Sequence, residues 1–234
     1  MGISINIAVQ LAQIAPMVKD CTNGIMLGRQ KMHFKQPGWT VRLIRSLADI
    51  GIEATPETLF QDDGFCETYL KTIGWPKLES LDFSDIEGAK YIHDLSVPVS
   101  ETLTGKFDLI YDGGTTEHVF DIAQSFRNVD AMLQDGGIFV SCVGTDGWFG
   151  HGFYQVGPDI PWRYWHHSLG YDVLGCWTIS RKGTEPPRPI PDPTYTTRGA
   201  EHRYDRPQFI FYVVKKLYRD GPPKPVIQSH YVNY

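Results

Sequence analysis

The sequence predicts an α/β protein in which helices cover both faces of a mostly parallel sheet. The first observation is that short apolar segments alternate with amphipathic helical segments of about 10–15 residues, the pattern of βαβ units. The second is that 234 residues with 41% apolar and 21% charged side chains can form one large soluble core. Together they predict a three-layer, Rossmann-like fold.

The individual elements are read from their hydrophobic spacing and from the glycines that end them. In the helix predicted at 39–50, the side chains of Val41, Ile44, Leu47 and Ala48 share a face. The other predicted helices are 62–73 and 119–133. The predicted strands are 24–27, 77–82, 90–95, 107–112, 138–143 and 209–217.

Composition excludes several classes of protein. No stretch approaches the roughly 18–20 apolar residues of a membrane span, and the start of the chain lacks the basic segment of a secretory signal. We therefore expect a cytoplasmic protein without a membrane partner. Four scattered cysteines predict reduced, mostly buried thiols. Acids outnumber bases in the first 180 residues, which argues against a nucleic-acid partner.

The carboxyl ends of four predicted strands carry residues suited to a ligand. Parallel strands present these ends at one edge of the sheet, where ligands of such folds bind. Gly28 would let a ligand approach the backbone, Asp82 could accept hydrogen bonds from ribose hydroxyls, and Asp94 could accept one from an adenine amino group. Asp112 closes the fourth of these strands. The alternative is that these acids only shape turns and cap helices.

The segment 78–143, with LDFSDIEGAKYIHDLSVP, KFDLIYDGGTTEHVF and RNVDAMLQDGGIFV, resembles the middle of a class I S-adenosylmethionine-dependent methyltransferase. The stretch GHGFYQVGP at 150–158 is further similar to bacterial methyltransferase-domain proteins. The resemblance implies a last strand that runs antiparallel and S-adenosylmethionine as cofactor. It also implies contacts to the cofactor from a set of strand-end residues: Asp82, Phe83, Asp94, Leu95, Asp112 and Gly113.

The sequence departs from the family where the first strand ends. The family has a glycine-rich loop there, whereas Gly28 is followed by Arg29, Gln30 and Lys31. The distance from Gly28 to Asp82 is also longer than the spacing of about 20 residues that is usual in a Rossmann fold. We expect a helical insertion at about 30–75, with Arg29 or Gln30 holding the amino-acid end of the cofactor, or else weakened cofactor binding.

The rest of the chain is predicted to belong to the same single domain, 1–234. Nine of the sixteen prolines lie in 181–234. Proline lacks an amide donor, so we predict a flap at about 181–207 and a surface tail at 220–234.

Two histidines are candidates for the base that removes a proton from a methyl acceptor. His118 starts the helix after the fourth strand, and His151 lies in a glycine-rich stretch after the fifth. The resemblance implies that Glu117 and His118 face the reacting methyl group or the acceptor, so Glu117 is a third candidate catalytic residue. Capping or packing roles remain open for both histidines. Metal ligands could converge from the separate positions Asp112, Glu117, His118, Asp146 and His151, but no local metal signature is present, and we predict no metal.

Aromatic residues follow the fifth strand and could wall the site of a small-molecule acceptor. Trp148, Phe153 and Tyr154 are the candidates, and packing of this segment against the sheet is the alternative. The sequence thus favours a methyltransferase with a sugar or secondary-metabolite acceptor. A methyltransferase-like binding module without activity, or a dinucleotide enzyme on the same sheet, stays open, and the sequence gives no oligomeric state.

Overall fold

The computed structural model describes residues 2–34, 36–193 and 206–232, and its central element is an eight-stranded sheet. Strands β1 and β3 form a separate parallel pair. The strands are β1 (Gly2–Ile3), β2 (Gly24–Leu27), β3 (Lys31–Met32), β4 (Leu78–Asp82), β5 (Tyr91–Ile92), β6 (Phe107–Asp112), β7 (Leu133–Asp146), β8 (Asp172–Ser180), β9 (Arg188–Pro189) and β10 (Gln208–Lys215).

The helices lie on both sides of this sheet. The α-helices are α1 (Ile5–Val18), α2 (Pro37–Ala48), α3 (Pro56–Leu59), α4 (Glu67–Thr72) and α5 (Ile122–Met132). Two 3₁₀ turns span Thr116–His118 and Ser229–Tyr231, and a π-helix spans Ile160–Ser168. No helix in these described ranges has both the length and the apolar character needed to cross a membrane.

The strand order of the sheet is β5-β4-β2-β6-β7-β10-β8-β9. All pairings from β5 to β7 are parallel, and β10 is antiparallel to both β7 and β8. Numbered as the sequence predicts them, the first five strands lie in the order 3-2-1-4-5, which is that of a doubly wound fold. The predicted fold is therefore confirmed, including its antiparallel last strand.

Successive side chains of each strand point to opposite faces of the sheet, and this alternation produces two hydrophobic cores, one on each face. Met26 of β2 belongs to the core beneath α1, α2 and α4, whereas its neighbours Ile25 and Leu27 belong to the core beneath α5 and the π-helix. Side chains on a strand alternate between faces, so a central strand in a three-layer protein is apolar on both sides.

The predicted helices exist, but two are shorter than the sequence indicates. The helix predicted at 62–73 begins only at Glu67, because the side chains of Gln61 and Asp63 accept hydrogen bonds from the backbone of Thr68 and Phe65 and hold a turn there. The helix predicted at 119–133 is α5, and it begins after Asp121, whose carboxylate caps the nitrogen of Gln124.

The predicted apolar face of α2 is partly wrong. Leu47 is buried as expected, but the second buried residue is Leu43, and Val41 is 56% exposed. The helix begins at Pro37, two residues before the predicted start. Helix α1 was not predicted, and ten of its fourteen residues are buried.

Two strands differ from their predicted lengths for opposite reasons. Strand β5 is at the edge of the sheet and pairs through only Tyr91 and Ile92, so Asp94 lies beyond its end. Strand β7 runs from Leu133 to Asp146 because β10 extends the pairing to Asp146 at its carboxyl end, while β6 pairs Phe107 with Leu133 at its amino end.

The proline-rich segment and the tail lie on the surface where they are described. Arg188 and Pro189 form a short edge strand on β8, the position in a sheet that tolerates proline. Part of the predicted flap, 194–205, falls outside the described residues. The tail contacts the π-helix, with the backbone nitrogen of Lys224 donating to the carbonyl of Ser168.

Candidate functional site

A cavity of about 380 Å³ opens over the carboxyl ends of β2, β4 and the turn after β6. Strand β2 lies between β4 and β6, and the chain crosses over in opposite directions on its two sides, so this is the switch point at which doubly wound folds bind ligands. The cavity is lined by Gly28, Arg29, Gln30, Lys31, Asp82, Glu87, Gly114, Thr115 and His118.

Gly28 allows close packing of the chain beside this cavity. Its φ angle is 67°, and a Cβ atom there would lie 2.7 Å from the Oγ1 atom of Thr115. That hydroxyl donates a hydrogen bond of 2.7 Å to the carbonyl of Leu27, the last residue of β2. This hydrogen bond joins the turn after β6 to the end of β2 at the cavity floor.

Gln30 takes up space at the position where the family has its glycine-rich loop. Its side chain is buried, and Nε2 donates to the carbonyls of Leu27 and Gly28 at 3.3 and 3.1 Å. A Cβ atom on Gly113 would lie 2.6 Å from the Gln30 amide, so the two residues are in tight contact. The Oε1 atom of Gln30 has no hydrogen-bond partner among the described residues.

The guanidinium of Arg29 is bound to the helical segment rather than held free for a ligand. It lies 3.7 Å from the centre of the Phe65 ring, and it pairs with Glu67 at 2.6 Å and Asp63 at 3.0 Å. Both acids lie in or next to α4. Arg29 lines the cavity, but its charge is already compensated.

Asp82 lies where the sequence predicts, at the end of β4 and at the rim of the cavity. Its Oδ1 atom accepts a hydrogen bond of 2.7 Å from the nitrogen of Phe83. No hydrogen bond joins its Oδ2 atom to any described residue, and that atom lies 3.8 Å from the position of a Cβ on Gly28. Phe83 itself is 73% exposed, next to this carboxylate in the chain.

Asp94 and Leu95 do not line this cavity. The Oδ1 atom of Asp94 accepts hydrogen bonds from the nitrogen and hydroxyl of Ser96, a local turn that lowers the pKa of the carboxyl. Leu95 is buried, and its carbonyl accepts from the side chain of Asn128 in α5. The prediction that both contact an adenine remains a prediction.

Asp112 organises the turn that carries the candidate catalytic residues. It is fully buried at the end of β6, and its Oδ1 atom accepts from the nitrogens of Gly114, Thr115 and Thr116. Its Oδ2 atom accepts from the hydroxyls of Thr116 and Ser141 at 2.6 and 3.3 Å. These bonds favour the ionised form, but burial outweighs them and raises the pKa of the carboxyl.

The structure brings together Glu117, His118 and His151, which come from separate loops after the fourth and fifth strands. The rings of His118 and His151 meet edge to face with their centres 4.9 Å apart. One ligand atom from each of the three side chains lies within 4.8 Å of the others. Asp146, at the end of β7, is not part of this cluster.

Burial shifts the protonation of all three groups toward the neutral form. It raises the pKa of Glu117 to about 8, with a further contribution from the Asp112 carboxylate. It lowers the pKa of His118, to which His151 adds repulsion, and it also lowers the pKa of His151. Both carboxylate oxygens of Glu117, and the Nε2 atom of His151, are buried without a hydrogen-bond partner among the described residues.

A second cavity, of about 650 Å³, lies on the other side of this histidine pair. His118 lines the first cavity and His151 lines the second, so the pair separates them. The second cavity is lined by Gly2, Ser4, His33, Gly147, Trp148, Phe149, Gly150, His151, Arg181, Pro207 and Phe209.

Only one of the three predicted acceptor aromatics lines the second cavity. Trp148 does so, held by a hydrogen bond of 2.6 Å from its Nε1 atom to the carbonyl of Gln208. Phe153 instead packs on Phe120 with ring centres 5.6 Å apart, and the hydroxyl of Tyr154 donates to the Phe120 carbonyl. Phe153 and Tyr154 therefore cover the start of α5 rather than face either of these two cavities.

Several lining residues could not be found from the sequence. Thr115 is an exception, because it lies only three residues after Asp112, the acid that ends its strand, and this position places it near the ligand edge of the sheet. His33 and Arg181 belong to different segments and meet only through the fold. No spacing rule connects such positions.

Comparison with known proteins gives matches to solved structures only. No family model matches the chain, and no curated protein matches it. A S-adenosylmethionine-dependent methyltransferase from Mesorhizobium loti is 17% identical, with 88% of this chain and 96% of that chain covered and a TM-score of 0.46.

Two further matches are enzymes crystallised with S-adenosylhomocysteine. The 1,6-didemethyltoxoflavin-N1-methyltransferase of Burkholderia thailandensis is 10% identical over 91% of this chain and 80% of that chain, with a TM-score of 0.47. The trans-methyltransferase CalH is 12% identical over 90% of this chain, which spans only 55% of that chain, with a TM-score of 0.43. All three TM-scores lie below 0.5, so the fold assignment rests on the strand order and register given above.

Proposed function

We propose that this protein is a S-adenosylmethionine-dependent methyltransferase that acts on a small-molecule acceptor. The observation that carries the proposal is the cavity at the switch point, which both Asp82 and His118 line. The methyltransferase resemblance of segment 78–143 and the methyltransferase matches among solved structures agree with it.

The adenosine half of the cofactor fits the residues present. The free Oδ2 atom of Asp82 can accept from a ribose hydroxyl, and Oδ1 can accept from the second hydroxyl alongside its bond to Phe83. The exposed ring of Phe83 offers an apolar surface next to that carboxylate. The proposal also includes the cofactor contacts that the resemblance implies for Asp94, Leu95 and Gly113.

The acceptor is proposed to occupy the second cavity, next to the histidine pair. The cofactor would supply a methyl group on a sulfonium centre. The oxygen of an acceptor hydroxyl would form the new O–C bond as the C–S bond breaks, and the electron pair of the C–S bond would stay on sulfur. His118 and His151 lie between the cavities, where a free imidazole nitrogen can take the hydroxyl proton. Trp148 lines this cavity, and an acceptor held there beside the methyl group would gain the proximity that an in-line displacement needs.

Titration calorimetry with S-adenosylmethionine and S-adenosylhomocysteine tests the proposal. We expect binding of both, and a loss of about 10- to 100-fold in affinity for Asp82→Asn, because a hydrogen bond to a charged group contributes about 1.5–3 kcal/mol. Asp135→Asn is the matched control, since Asp135 is exposed near the amino end of β7, at the opposite edge of the sheet. Wild-type protein that binds neither ligand overturns the proposal, and preferential binding of NAD would favour a dinucleotide enzyme.

A binding module without methyltransferase activity is the second candidate, and Gln30 favours it. The side chain of Gln30 fills space where the family has a glycine loop, and the charge of Arg29 is compensated by Glu67 and Asp63. Of the two residues predicted for the amino-acid end of the cofactor, Arg29 is therefore committed to other acids, and Gln30 offers only its unpartnered Oε1 atom. Cofactor binding without formation of S-adenosylhomocysteine across a set of hydroxyl and amine acceptors would support this candidate.

A further inference from the structure

Glu117 is the most unusual buried group in the described part of the chain. Its side chain is fully buried, and neither carboxylate oxygen makes a hydrogen bond of good geometry to a described residue, although the backbone nitrogens of Glu117 and Gly144 lie near enough to favour the ionised form. A buried carboxyl group without partners costs free energy in either protonation state. Such a group indicates that a partner is missing, and the partner has to reach an enclosed position.

The groups that surround these oxygens are metal ligands. His151 presents a buried Nε2 atom that also has no partner, and the ring of His118 lies against it. One nitrogen from each ring and one oxygen of Glu117 lie within 4.8 Å of one another. All three side chains therefore point at one small volume between the two cavities.

We propose that Glu117, His118 and His151 bind a divalent first-row transition-metal ion of the Zn²⁺ type. Two imidazoles and one carboxylate form a ligand set used by zinc enzymes that keep a fourth position open. Nitrogen ligands disfavour Mg²⁺ and Ca²⁺, which prefer oxygen.

Binding requires only a small closure of the ligands. Atoms that share a zinc ion at about 2.0–2.1 Å lie roughly 3.3 Å apart in tetrahedral geometry. His118 is the most exposed of the three residues, so its side chain has more room to adjust than the buried carboxylate of Glu117. The backbone is already held close, since the nitrogen of Phe153 donates to the carbonyl of Glu117 and joins the two loops.

The role of the ion in a reaction rests on the proposed methyltransferase function, whereas the site itself does not. An ion at this point could bind an acceptor hydroxyl that enters from the second cavity. A bound ion lowers the pKa of an oxygen ligand to near neutrality, so that the proton leaves to water before the methyl group is transferred. The histidines would then hold the ion instead of acting as free bases.

Zinc titration of chelator-treated full-length protein, followed by calorimetry and a competing colorimetric chelator, tests the site. We expect one equivalent of tightly bound Zn²⁺. The affinity for Zn²⁺ should fall by at least about 100-fold in His151→Ala and in Glu117→Gln, because loss of a metal ligand should cost no less than loss of a residue that hydrogen-bonds a ligand. Co²⁺ gives a second readout, as its visible absorption should change in the same variants.

His167→Ala is the control, because His167 is an exposed histidine paired with Asp192 at 2.7 Å, where zinc could bind adventitiously. This variant should bind one equivalent of Zn²⁺ as tightly as the wild type. The inference is overturned if the wild-type protein fails to bind Zn²⁺. It is also overturned if His151→Ala and Glu117→Gln, shown to be folded by circular dichroism, bind Zn²⁺ as tightly as the wild type. If one variant fails to fold, the other decides. Cofactor affinity measured in excess chelator is independent of this result, so the metal site and the proposed function can fail separately.

Discussion

Removing the Asp112 side chain should release the turn that holds the candidate catalytic residues. Asp112→Ala leaves the buried nitrogens of Gly114 and Thr116 without an acceptor. Each unsatisfied buried donor costs about 1–3 kcal/mol, so we expect a loss of about 4 kcal/mol in the free energy of unfolding. With a urea slope of about 2–3 kcal/mol per M, the unfolding midpoint should fall by roughly 1.3–2 M.

Asp108→Ala is the matched control in the same strand. Asp108 accepts hydrogen bonds from the nitrogens of Thr22 and Asn23, but it does so at the solvent-exposed, amino-terminal end of β6. Water can replace it there, and we expect a loss of about 1 kcal/mol and unchanged cofactor binding. Urea unfolding followed by circular dichroism compares the two. If Asp112→Ala costs no more than Asp108→Ala, the buried carboxylate does not hold the turn.

Two further predictions concern the cavity floor and the thiols. In Gly113→Ala, the new methyl group should clash with Gln30 and lower both the thermal stability and the cofactor affinity. Adding Gln30→Ala should restore both, whereas thermal melts in which the two substitutions destabilise additively would contradict the contact. Burial, with the Asp108 carboxylate adding repulsion, raises the pKa of Cys21 to about 11. At pH 8 its thiolate fraction is then about one in a thousand, so a thiol reagent should label native protein roughly 200-fold more slowly than free cysteine, and labelling at the rate of free cysteine refutes the burial argument.

The sheet could be predicted from the sequence because its signals are local. Apolar strands such as 107–112 and the acids that end them, Asp82 and Asp112, are visible without any knowledge of distant contacts. Strand β5 was overestimated since the length of an edge strand depends on how many pairs its single neighbour can make. Helix α4 was overestimated because side chains before it hold a turn that hydrophobic spacing does not report.

The candidate site could be predicted only in part, because it depends on contacts between loops. The residue types Glu117, His118 and His151 were identified as candidates, but their convergence depends on how the loop at 147–154 folds over the turn after β6. The state of Gln30 was equally inaccessible: its sequence position indicates a lost glycine loop, whereas only the structure shows that its side chain is buried against Gly113.

The buried Gln30 has a consequence for how the proposed cofactor is recognised. The switch-point cavity keeps Asp82 for the ribose, but the side chain of Gln30 already occupies the floor beside Gly113, and Arg29 is committed to Glu67. Recognition should therefore come mainly from the adenosine half. We expect adenosine to bind within about tenfold of S-adenosylhomocysteine in calorimetry, a difference of about 1.4 kcal/mol. A preference of 1,000-fold or more for S-adenosylhomocysteine, about 4 kcal/mol, would show that the amino-acid end is held by partners that this geometry does not provide.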